Sequence, residues 1–512
     1  MADEKLVYPP LTEDLQRGLS WKALKYFSAG AIMASVTIGS GETLFASRSG
    51  AVFGYSLLWC FVGGALMKGI QVYVGGRHMV LTGVHPMSHW GQMPGPKNWV
   101  PIAIGLLSLA SFPFWLAGLP LMLGQTINWI SGIDVQVLGM TPGELKDLVK
   151  TLPEGDLRLT NLAERSAQLL LIQRGWATLA IGIAVTLTYL QTYQLLERIQ
   201  LAVVGLLLAS LLVACIASQP DWSQMVAGFV PQMPVFPSWV HEFEDIARES
   251  ELAFLCVCLG AVGGGTYDYL GYLGCYREKS WGALGLKQDA ADSWENGKIK
   301  RIPIDTEEQN IQRGRRWLIP VKIDIGVGFA AVVIFTMCFI ILGAVILHPV
   351  HAVPDKFALL SKQARFLTNF HPALLYVYQV GIFMAFWGTI YGGYEIYLRT
   401  AYECFYPISQ RLRRLRTNAF RNGTLAYCAM GGLLLVWLGG DDPAAIVKPA
   451  AIVGGVFTCG LWCFAMIWTD RQFLPKSLQM KPLLLIMTTI SGVFLTGLGL
   501  LAIWKEYLSQ LF

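Results

Sequence analysis

Long apolar stretches constrain this chain more than any other feature. A membrane-spanning helix needs about 20 mostly apolar residues. Eleven such stretches follow one another along the 512 residues, and charged residues make up only 14% of the chain. This apolar surface exceeds what one soluble core can bury, so the sequence predicts an all-α integral membrane protein. The expected spans, numbered 1 to 11, are 26–50, 52–76, 99–127, 168–190, 195–217, 250–275, 317–347, 372–398, 421–438, 445–468 and 482–504.

Lysine and arginine concentrate in alternate loops, as expected when basic loops stay on the cytoplasmic side. The loop 277–316 and the run 411–416 are basic, whereas the loop 218–249 is rich in acids. We therefore expect a multi-pass protein of the cell (inner) membrane with a cytoplasmic N-terminus and an external C-terminus. The basic residues are explained by this orientation, and no nucleic-acid partner is expected.

Glycine interrupts two of the expected spans near mid-membrane. Span 1 contains Gly39-Ser40-Gly41-Glu42, and span 6 contains Gly263-Gly264-Gly265-Thr266. Because lipid offers no hydrogen bonds, unwound backbone at that depth is tolerated only where it is buried in protein or lines a cavity. Paired interruptions five spans apart are typical of secondary transporters built from inverted repeats. The alternative is that the glycines only let helices pack closely.

The interruptions also predict how the chain is organised. A cytoplasmic segment 1–25 precedes a first repeat 26–217, which holds spans 1 to 5 and an external insertion 128–167. After the external loop 218–249 comes a second repeat 250–468 with the basic loop 277–316, and span 11 at 482–504 is an addition. Within the insertion, one short amphipathic helix is predicted from Pro142, Glu144, Leu145, Leu148 and Val149.

The residues at the two interruptions form the expected substrate site. They are Gly39, Ser40, Gly41, Glu42, Thr43, Gly263, Gly264, Gly265, Thr266 and Tyr267. Because ionisable groups inside a span tend to mark ion pathways, Glu42 and Asp268 are the candidates for binding a coupling cation, H⁺ or Na⁺. Glu42 also has a structural interpretation, as a cap for the second half of span 1. Asp324, Glu395 and Lys68 also lie within spans and receive no role.

Residues 28–62, including SGAVFGYSLLW, resemble the Nramp family of proton-coupled divalent-metal transporters, and the basic RRLRTNAFR before span 9 fits as well. The resemblance implies the LeuT-type fold, with 5+5 inverted repeats, broken helices 1 and 6 and alternating access. The family's Asp-Pro-Gly-Asn motif falls on Gly39-Ser40-Gly41-Glu42, and its Met-Pro-His falls on Gly264-Gly265-Thr266. The ligand Asp and the thioether that selects soft metals are therefore missing. Span 3 also lacks the carboxylate of the family's proton route.

Two substrates remain open at such a site. The sequence favours a small inorganic anion such as bicarbonate, because half-helices beginning near Thr43 and Tyr267 would point positive N-termini at it. The alternative is a hard cation such as Mg²⁺, partly hydrated and met by Glu42, Ser40, Thr266 and backbone carbonyls. An amino acid or other solute, and a non-transporting sensor on the same fold, are further alternatives.

Other classes of protein fit the sequence less well. It contains no HExxH, no GxSxG elbow and no phosphate-binding glycine loop, which argues against an enzyme. His85 and His89 have the spacing of metal ligands but lie in a short loop without a third ligand. We therefore expect a monomeric transporter without a cofactor, whose partners are the lipid bilayer, a small inorganic ion and a coupling cation.

Overall fold

The structure is a computed structural model, and it describes most of the chain. The described residues are 5–16, 25–27, 41–140, 144, 148, 156–190, 193–243, 250–286, 294–295, 298–299, 302–354, 359–409, 417–440 and 442–508. Within them, eight helices are long and apolar enough to cross a membrane. They are Leu58–Thr82, Trp99–Ser131, Arg158–Leu190, Glu251–Glu278, Glu308–Val350, Leu374–Phe405, Pro443–Phe473 and Pro482–Leu508.

These helices correspond to the expected spans 2, 3, 4, 6, 7, 8, 10 and 11. Two further helices, Tyr193–Ala217 and Thr417–Leu438, lie at the positions of spans 5 and 9. Span 1 is described at residues 26–27 and again from Gly41 onward, as a π-helical turn Gly41–Ala46 followed by the helix Ser47–Phe53. The result is an all-helical membrane bundle, and the prediction of that class is confirmed.

Several helix ends differ from those expected from hydropathy. The helix Ser47–Phe53 ends at Gly54, whose φ of +60° favours glycine, and span 2 begins only at Leu58. Span 4 begins at Leu157, well before residue 168, because its first turns are polar and extend the helix past the apolar stretch. The expected insertion is correspondingly shorter.

The insertion contains the short helix Ile133–Leu138, which the sequence did not predict. Of the amphipathic helix expected there, Glu144 and Leu148 are helical, while Pro142, Leu145 and Val149 lie outside the described residues.

Span 3 packs against spans 4, 8, 9 and 10. Close approach of these helices depends on small residues. A Cβ at Gly118 would lie 2.5 Å from Val447 of span 10, and a Cβ at Gly124 would lie 2.4 Å from the carbonyl oxygen of Gln173 of span 4. The glycines of span 3 therefore set its distance from its neighbours.

The N-terminal segment packs on the loop between spans 6 and 7. The backbone N–H of Leu6 donates to the Pro303 carbonyl at 2.9 Å, and the Asp305 N–H donates back to Leu6 at 3.0 Å. The hydroxyl of Tyr8 donates to the carbonyl of Leu81, at the end of span 2, at 2.9 Å. The N-terminal segment and this basic loop thus lie at one end of the bundle, as the charge pattern requires. The loop also contains a two-residue β-hairpin, Trp294–Glu295 with Lys298–Ile299.

Candidate functional site

Span 6 is interrupted where the sequence predicted. One half-helix is Glu251–Ala261 and the second is Thr266–Cys275. Between them, Gly263 and Gly264 have φ of +70° and +81°, a left-handed conformation that side chains disfavour. Gly265 follows in an extended conformation and precedes the second half-helix.

A lysine from span 2 takes up the carbonyl groups that the interruption frees. Lys68 is fully buried. Its ammonium donates to three carbonyl oxygens, those of Gly260 at 2.9 Å, Val262 at 2.7 Å and Gly264 at 2.7 Å. An ammonium group has three N–H donors, so these three bonds use its whole donor capacity. A buried charge is stable only when it is hydrogen-bonded in this way.

Two side chains of the second half-helix also bond to the interruption. The Asp268 carboxylate accepts the backbone N–H of Gly265 at 2.7 Å, as expected for a carboxylate at a helix N-terminus. The Tyr269 hydroxyl donates to the carbonyl of Gly263 at 2.9 Å. The hydroxyl of Tyr397, on span 8, interacts with the Asp268 carboxyl. The unwound backbone is therefore hydrogen-bonded both by Lys68 of span 2 and by side chains of its own second half-helix.

Close packing explains the other glycines of span 6. A Cβ at Gly265 would lie 2.6 Å from the carbonyl oxygen of Gly454 on span 10. A Cβ at Gly455 would lie 2.3 Å from the carbonyl oxygen of Gly260. The glycines therefore have both of the roles considered from the sequence, unwinding of the helix and close packing, but in different residues. Gly263 and Gly264 have the unwound backbone, whereas Gly260 and Gly265 allow span 10 to approach.

Aromatic and hydroxyl side chains surround the interruption. Thr266 is buried and its hydroxyl donates to Cys459 Sγ of span 10 at 3.4 Å. Tyr267 is buried and meets Phe112 of span 3 edge-on, with ring centroids 6.4 Å apart. Phe112 in turn stacks on Tyr397, with centroids 4.4 Å apart. Spans 3, 6, 8 and 10 therefore converge around the start of the second half-helix.

The span 1 part of the expected site is only partly described. Gly39, Ser40 and the side chain of Glu42 lie outside the described residues. The backbone of Gly41 and Glu42 begins the π-helical turn Gly41–Ala46, so both residues belong to the second half of the span. Thr43 is fully buried in this turn.

Thr43 belongs to a buried hydrogen-bonded cluster that the sequence did not predict. Gln363 Nε2 donates to the Thr43 carbonyl and to Ser47 Oγ, both at 2.6 Å, and the Tyr378 hydroxyl donates to Gln363 Oε1 at 2.6 Å. Gln363 lies on the helix Leu359–Thr368, between spans 7 and 8. We call Thr43, Ser47, Gln363 and Tyr378 the outer cluster. It joins span 1 to span 8.

The opposite end of span 6 borders a cavity of about 290 Å³ lined by charged residues. Arg277 donates to both oxygens of Glu403, at 2.8 Å and 3.0 Å, and Arg399 donates to Glu278 at 2.7 Å. His85 lies 3.6 Å from the same Glu403. We call this cavity the inner cavity. His85 therefore lies beside a carboxylate. His89, the other histidine with the spacing of metal ligands, is hydrogen-bonded to His78.

The other ionisable residues noted within spans also have partners. Asp324 is fully buried and accepts from the hydroxyls of Tyr272 at 2.6 Å and Tyr276 at 3.2 Å. Glu395 accepts from Arg421 at 3.3 Å. Across the described residues, no group of three or more His, Cys, Asp or Glu side chains is arranged to hold a metal ion. A metal ion bound by these residues would therefore take at most two of its ligands from such side chains.

Most of the chain matches a known protein family. The profile of the Nramp family, natural resistance-associated macrophage protein-like, matches residues 166–505, which is most of the chain. The chain belongs to the Nramp family. The matched range includes the span 6 interruption and begins after span 1 and Lys68. The resemblance predicted from the sequence is therefore confirmed for the family, while the correspondence of motifs at Gly39–Glu42 stays a prediction.

Solved structures show the same fold. A manganese transporter of Eremococcus coleocola, in complex with an aromatic bis-isothiourea substituted compound, is 12% identical and has a TM-score of 0.61, covering 98% of this chain and 90% of that chain. MhsT in complex with L-phenylalanine is 15% identical and has a TM-score of 0.50, covering 93% of this chain and 98% of that chain. The prediction of a LeuT-type fold is confirmed. No curated protein sequence matches the chain.

Proposed function

We propose that this Nramp-family protein is a secondary active transporter of a hard divalent metal cation such as Mg²⁺. One observation carries the proposal: the Asp268 carboxylate accepts the Gly265 N–H, so a negative group lies at the start of the second half-helix of span 6. Carboxylate, carbonyl and water oxygens are the ligands that a hard divalent cation prefers. Family membership supports a metal ion as substrate, and a relative of the same fold is named as a manganese transporter.

The same residues offer little to the anion that the sequence favoured. An anion needs free N–H donors, for example at a helix N-terminus. Here the Asp268 carboxylate accepts the Gly265 N–H and places a negative charge at that terminus. The Lys68 ammonium gives its three donors to carbonyl oxygens. Bicarbonate would therefore meet the Asp268 carboxylate, which repels it, while carbonyl oxygens engage the donors of the Lys68 ammonium.

The missing thioether favours a hard cation over a soft one. By the resemblance, Gly264 stands where the family has the methionine that selects soft transition metals. Gly264 has no side chain, and its backbone carbonyl accepts from Lys68 at 2.7 Å and from Tyr269 at 3.2 Å. Mg²⁺ keeps several of its waters and needs only one or two carboxylates from a protein. We propose that Glu42 supplies that carboxylate and Thr266 a hydroxyl, with backbone groups of Gly39, Ser40, Gly41 and Thr43 completing the site.

Asp268 is our proposed site for the coupling proton. Its carboxylate caps the second half-helix through the Gly265 N–H. A proton on this carboxyl would weaken the cap, because a neutral acid is a poorer acceptor than a carboxylate. Proton binding would thereby change the backbone that lines the substrate site, which is the link that coupling requires. Glu42 is the alternative site, for H⁺ or Na⁺.

The two ends of the bundle suggest how access would alternate. The outer cluster closes one side, because the side chains of Gln363 and Ser47 are buried where span 1 meets the helix Leu359–Thr368. On the other side, the inner cavity of about 290 Å³ borders span 6. Opening outward would require the bonds of Gln363 to break. We propose that the outer cluster is the external gate.

Uptake by purified protein in liposomes tests the substrate. Mg²⁺, Mn²⁺ and bicarbonate are offered separately, each under a proton gradient, a sodium gradient and no gradient. We expect Mg²⁺ uptake that a proton gradient accelerates, and weaker uptake of Mn²⁺. Bicarbonate uptake without Mg²⁺ uptake would contradict the proposal. Ion binding without any uptake would support the sensor alternative.

A pair of variants tests Glu42 in the same assay. Glu42→Gln should abolish gradient-driven Mg²⁺ uptake and leave the protein folded. The matched control is Glu164→Gln, which removes an exposed carboxylate near the start of span 4. Full uptake by Glu42→Gln would remove Glu42 from the site. Equal losses in both variants would show that any lost carboxylate impairs the protein.

A further inference from the structure

A basic cavity of about 650 Å³ lies where the end of span 2 meets the starts of spans 7 and 11. Five basic residues line it, namely Arg77, Arg315, Lys322, Lys476 and Lys481. No acidic residue is among its described lining residues. Buried Arg77 pairs with Asp470 at 2.5 Å, whereas the other four side chains are exposed. The cavity therefore presents an excess of positive charge at its mouth.

An apolar groove of about 520 Å³ continues from this cavity between spans 2 and 7. The two share Tyr73 and Lys322, and the rest of the groove is lined by Val62, Ala65, Leu66, Gly69, Ile70, Ile325, Gly326, Phe329, Ala330 and Val333. At 1.5 Å per helical residue, the stretch from Lys322 to Val333 covers roughly 16 Å. That is about the depth of one leaflet of a ~30 Å hydrocarbon core.

We propose that the basic cavity and the apolar groove together bind one anionic phospholipid. Its phosphate would lie among Arg315, Lys322, Lys476 and Lys481, and one acyl chain would lie in the groove. Charge complementarity selects the headgroup, because basic pockets between membrane helices favour anionic lipids over zwitterionic ones. The depth of the groove places the chain in the leaflet on the side of the basic loop 277–316.

The groove has a direct structural link to the span 6 interruption. Phe329 forms part of its wall. The ring of Phe329 also packs against the interruption, since a Cβ at Gly263 would lie 3.1 Å from it, and its centroid is 6.3 Å from that of Tyr269. A bound acyl chain would hold Phe329 in this position. Lipid binding should therefore stabilise the folded protein as a whole.

Lipid titration of delipidated protein in a neutral detergent tests the proposal by the shift in Tm. Phosphatidylglycerol, phosphatidylcholine with the same chains and soluble glycerol phosphate are compared. We expect a saturable rise in Tm with phosphatidylglycerol only. An equal rise with phosphatidylcholine would show that the protein binds lipids here without selecting the headgroup, as it does for ordinary annular lipid. An equal rise with glycerol phosphate would show that the site binds a free phosphate compound and not a lipid. Either result would overturn the proposal, and neither depends on transport.

Two pairs of variants locate the lipid. Lys322→Gln combined with Lys481→Gln should raise the concentration of phosphatidylglycerol for the half-maximal shift by roughly thirtyfold. Its matched control, Lys97→Gln with Arg471→Gln, removes two exposed charges outside the cavity and should leave it unchanged. Gly326→Leu fills the groove, whereas Gly182→Leu adds the same side chain to another open, exposed helix surface. Unchanged titrations in Lys322→Gln/Lys481→Gln and Gly326→Leu would contradict this site.

Discussion

Spans 6 and 10 both contain neighbouring glycines and pack against each other, yet their backbones differ. In span 6, Gly263 and Gly264 adopt left-handed conformations and the helix stops. In span 10, Gly454 and Gly455 lie in a π-helical turn, Val453–Phe457, and the helix continues. Adjacent glycines thus allow unwinding without determining it.

The difference lies in which residues take up the displaced carbonyl groups. In span 10, Thr458 of the same helix donates to the carbonyls of Val453 at 3.0 Å and Gly454 at 3.2 Å. In span 6, the main donor is Lys68, which comes from another span. In span 10 a hydroxyl of the same helix binds the carbonyls of the π turn, whereas in span 6 the donor with the most bonds to the interruption comes from a neighbouring helix. Four substitutions test this comparison, in order of decreasing effect.

Lys68→Met should cause the largest loss of stability. It leaves three carbonyl groups of the interruption without their donor. We expect the free energy of unfolding to fall by about 3–5 kcal/mol, as for breaking other buried charged interactions. Thermal unfolding in detergent measures the effect, and Lys97→Met, at an exposed lysine, is the control. Equal Tm values for Lys68→Met and the wild type would show that the interruption does not depend on Lys68.

Gly455→Ala should be next. Its Cβ would lie 2.3 Å from the carbonyl oxygen of Gly260, a backbone atom that cannot rotate away. Forcing spans 6 and 10 apart should cost about 2–3 kcal/mol, the upper part of the range for overpacking. Gly497→Ala, at a helical glycine of span 11 with open space around it, is the control for the same Tm measurement. A stable Gly455→Ala variant would mean that the two helices can separate at little cost.

Gly264→Ala should lower the free energy of unfolding by less than Gly455→Ala. It tests the backbone conformation of the interruption, whereas Gly455→Ala tests the packing of spans 6 and 10. At φ of +81°, a side chain costs about 1–2 kcal/mol in backbone strain. The variant should therefore unfold at a lower temperature than the wild type and transport more slowly. The outcome against this account is a Gly264→Ala protein more stable than wild type, because that would indicate an ordinary helical conformation at this position.

Tyr269→Phe should have the smallest effect. It removes a hydrogen bond shared between the Gly263 carbonyl at 2.9 Å and the Gly264 carbonyl at 3.2 Å, and leaves the ring in place. A loss of about 1 kcal/mol is expected. A double-mutant cycle with Lys68→Met then tests whether Lys68 and Tyr269 stabilise the same part of the interruption. If they do, their losses in the free energy of unfolding should not add. Additive losses would show that the two donors act on independent parts of the interruption.

Much of the fold was predictable from the sequence because membrane spans have a strong compositional pattern. The span 6 interruption was also predictable, since three consecutive glycines disfavour a helix. The beginning of span 4 was not, because its first turns are polar and hydropathy detects only the part that meets lipid. The turn at Gly54 was missed for a related reason, since the residues on both sides of it are apolar.

The partners of the site were the least predictable part. The sequence did not indicate a role for Lys68, because the atoms that accept its hydrogen bonds are backbone carbonyls more than 190 residues away. Gln363 lies outside the expected spans, so its sequence position gave no indication of burial. Asp268, by contrast, was identified as an ionisable residue inside a span, although its bond to the Gly265 N–H needed the structure.

Calorimetric titration of the purified protein tests the central claim most directly. Mg²⁺ and bicarbonate are titrated separately into the same preparation, with Glu42→Gln as the variant. We predict saturable binding of Mg²⁺ that Glu42→Gln removes, and no binding of bicarbonate. Saturable binding of bicarbonate in the absence of any heat from Mg²⁺ would contradict a cation site at the interruption of span 6.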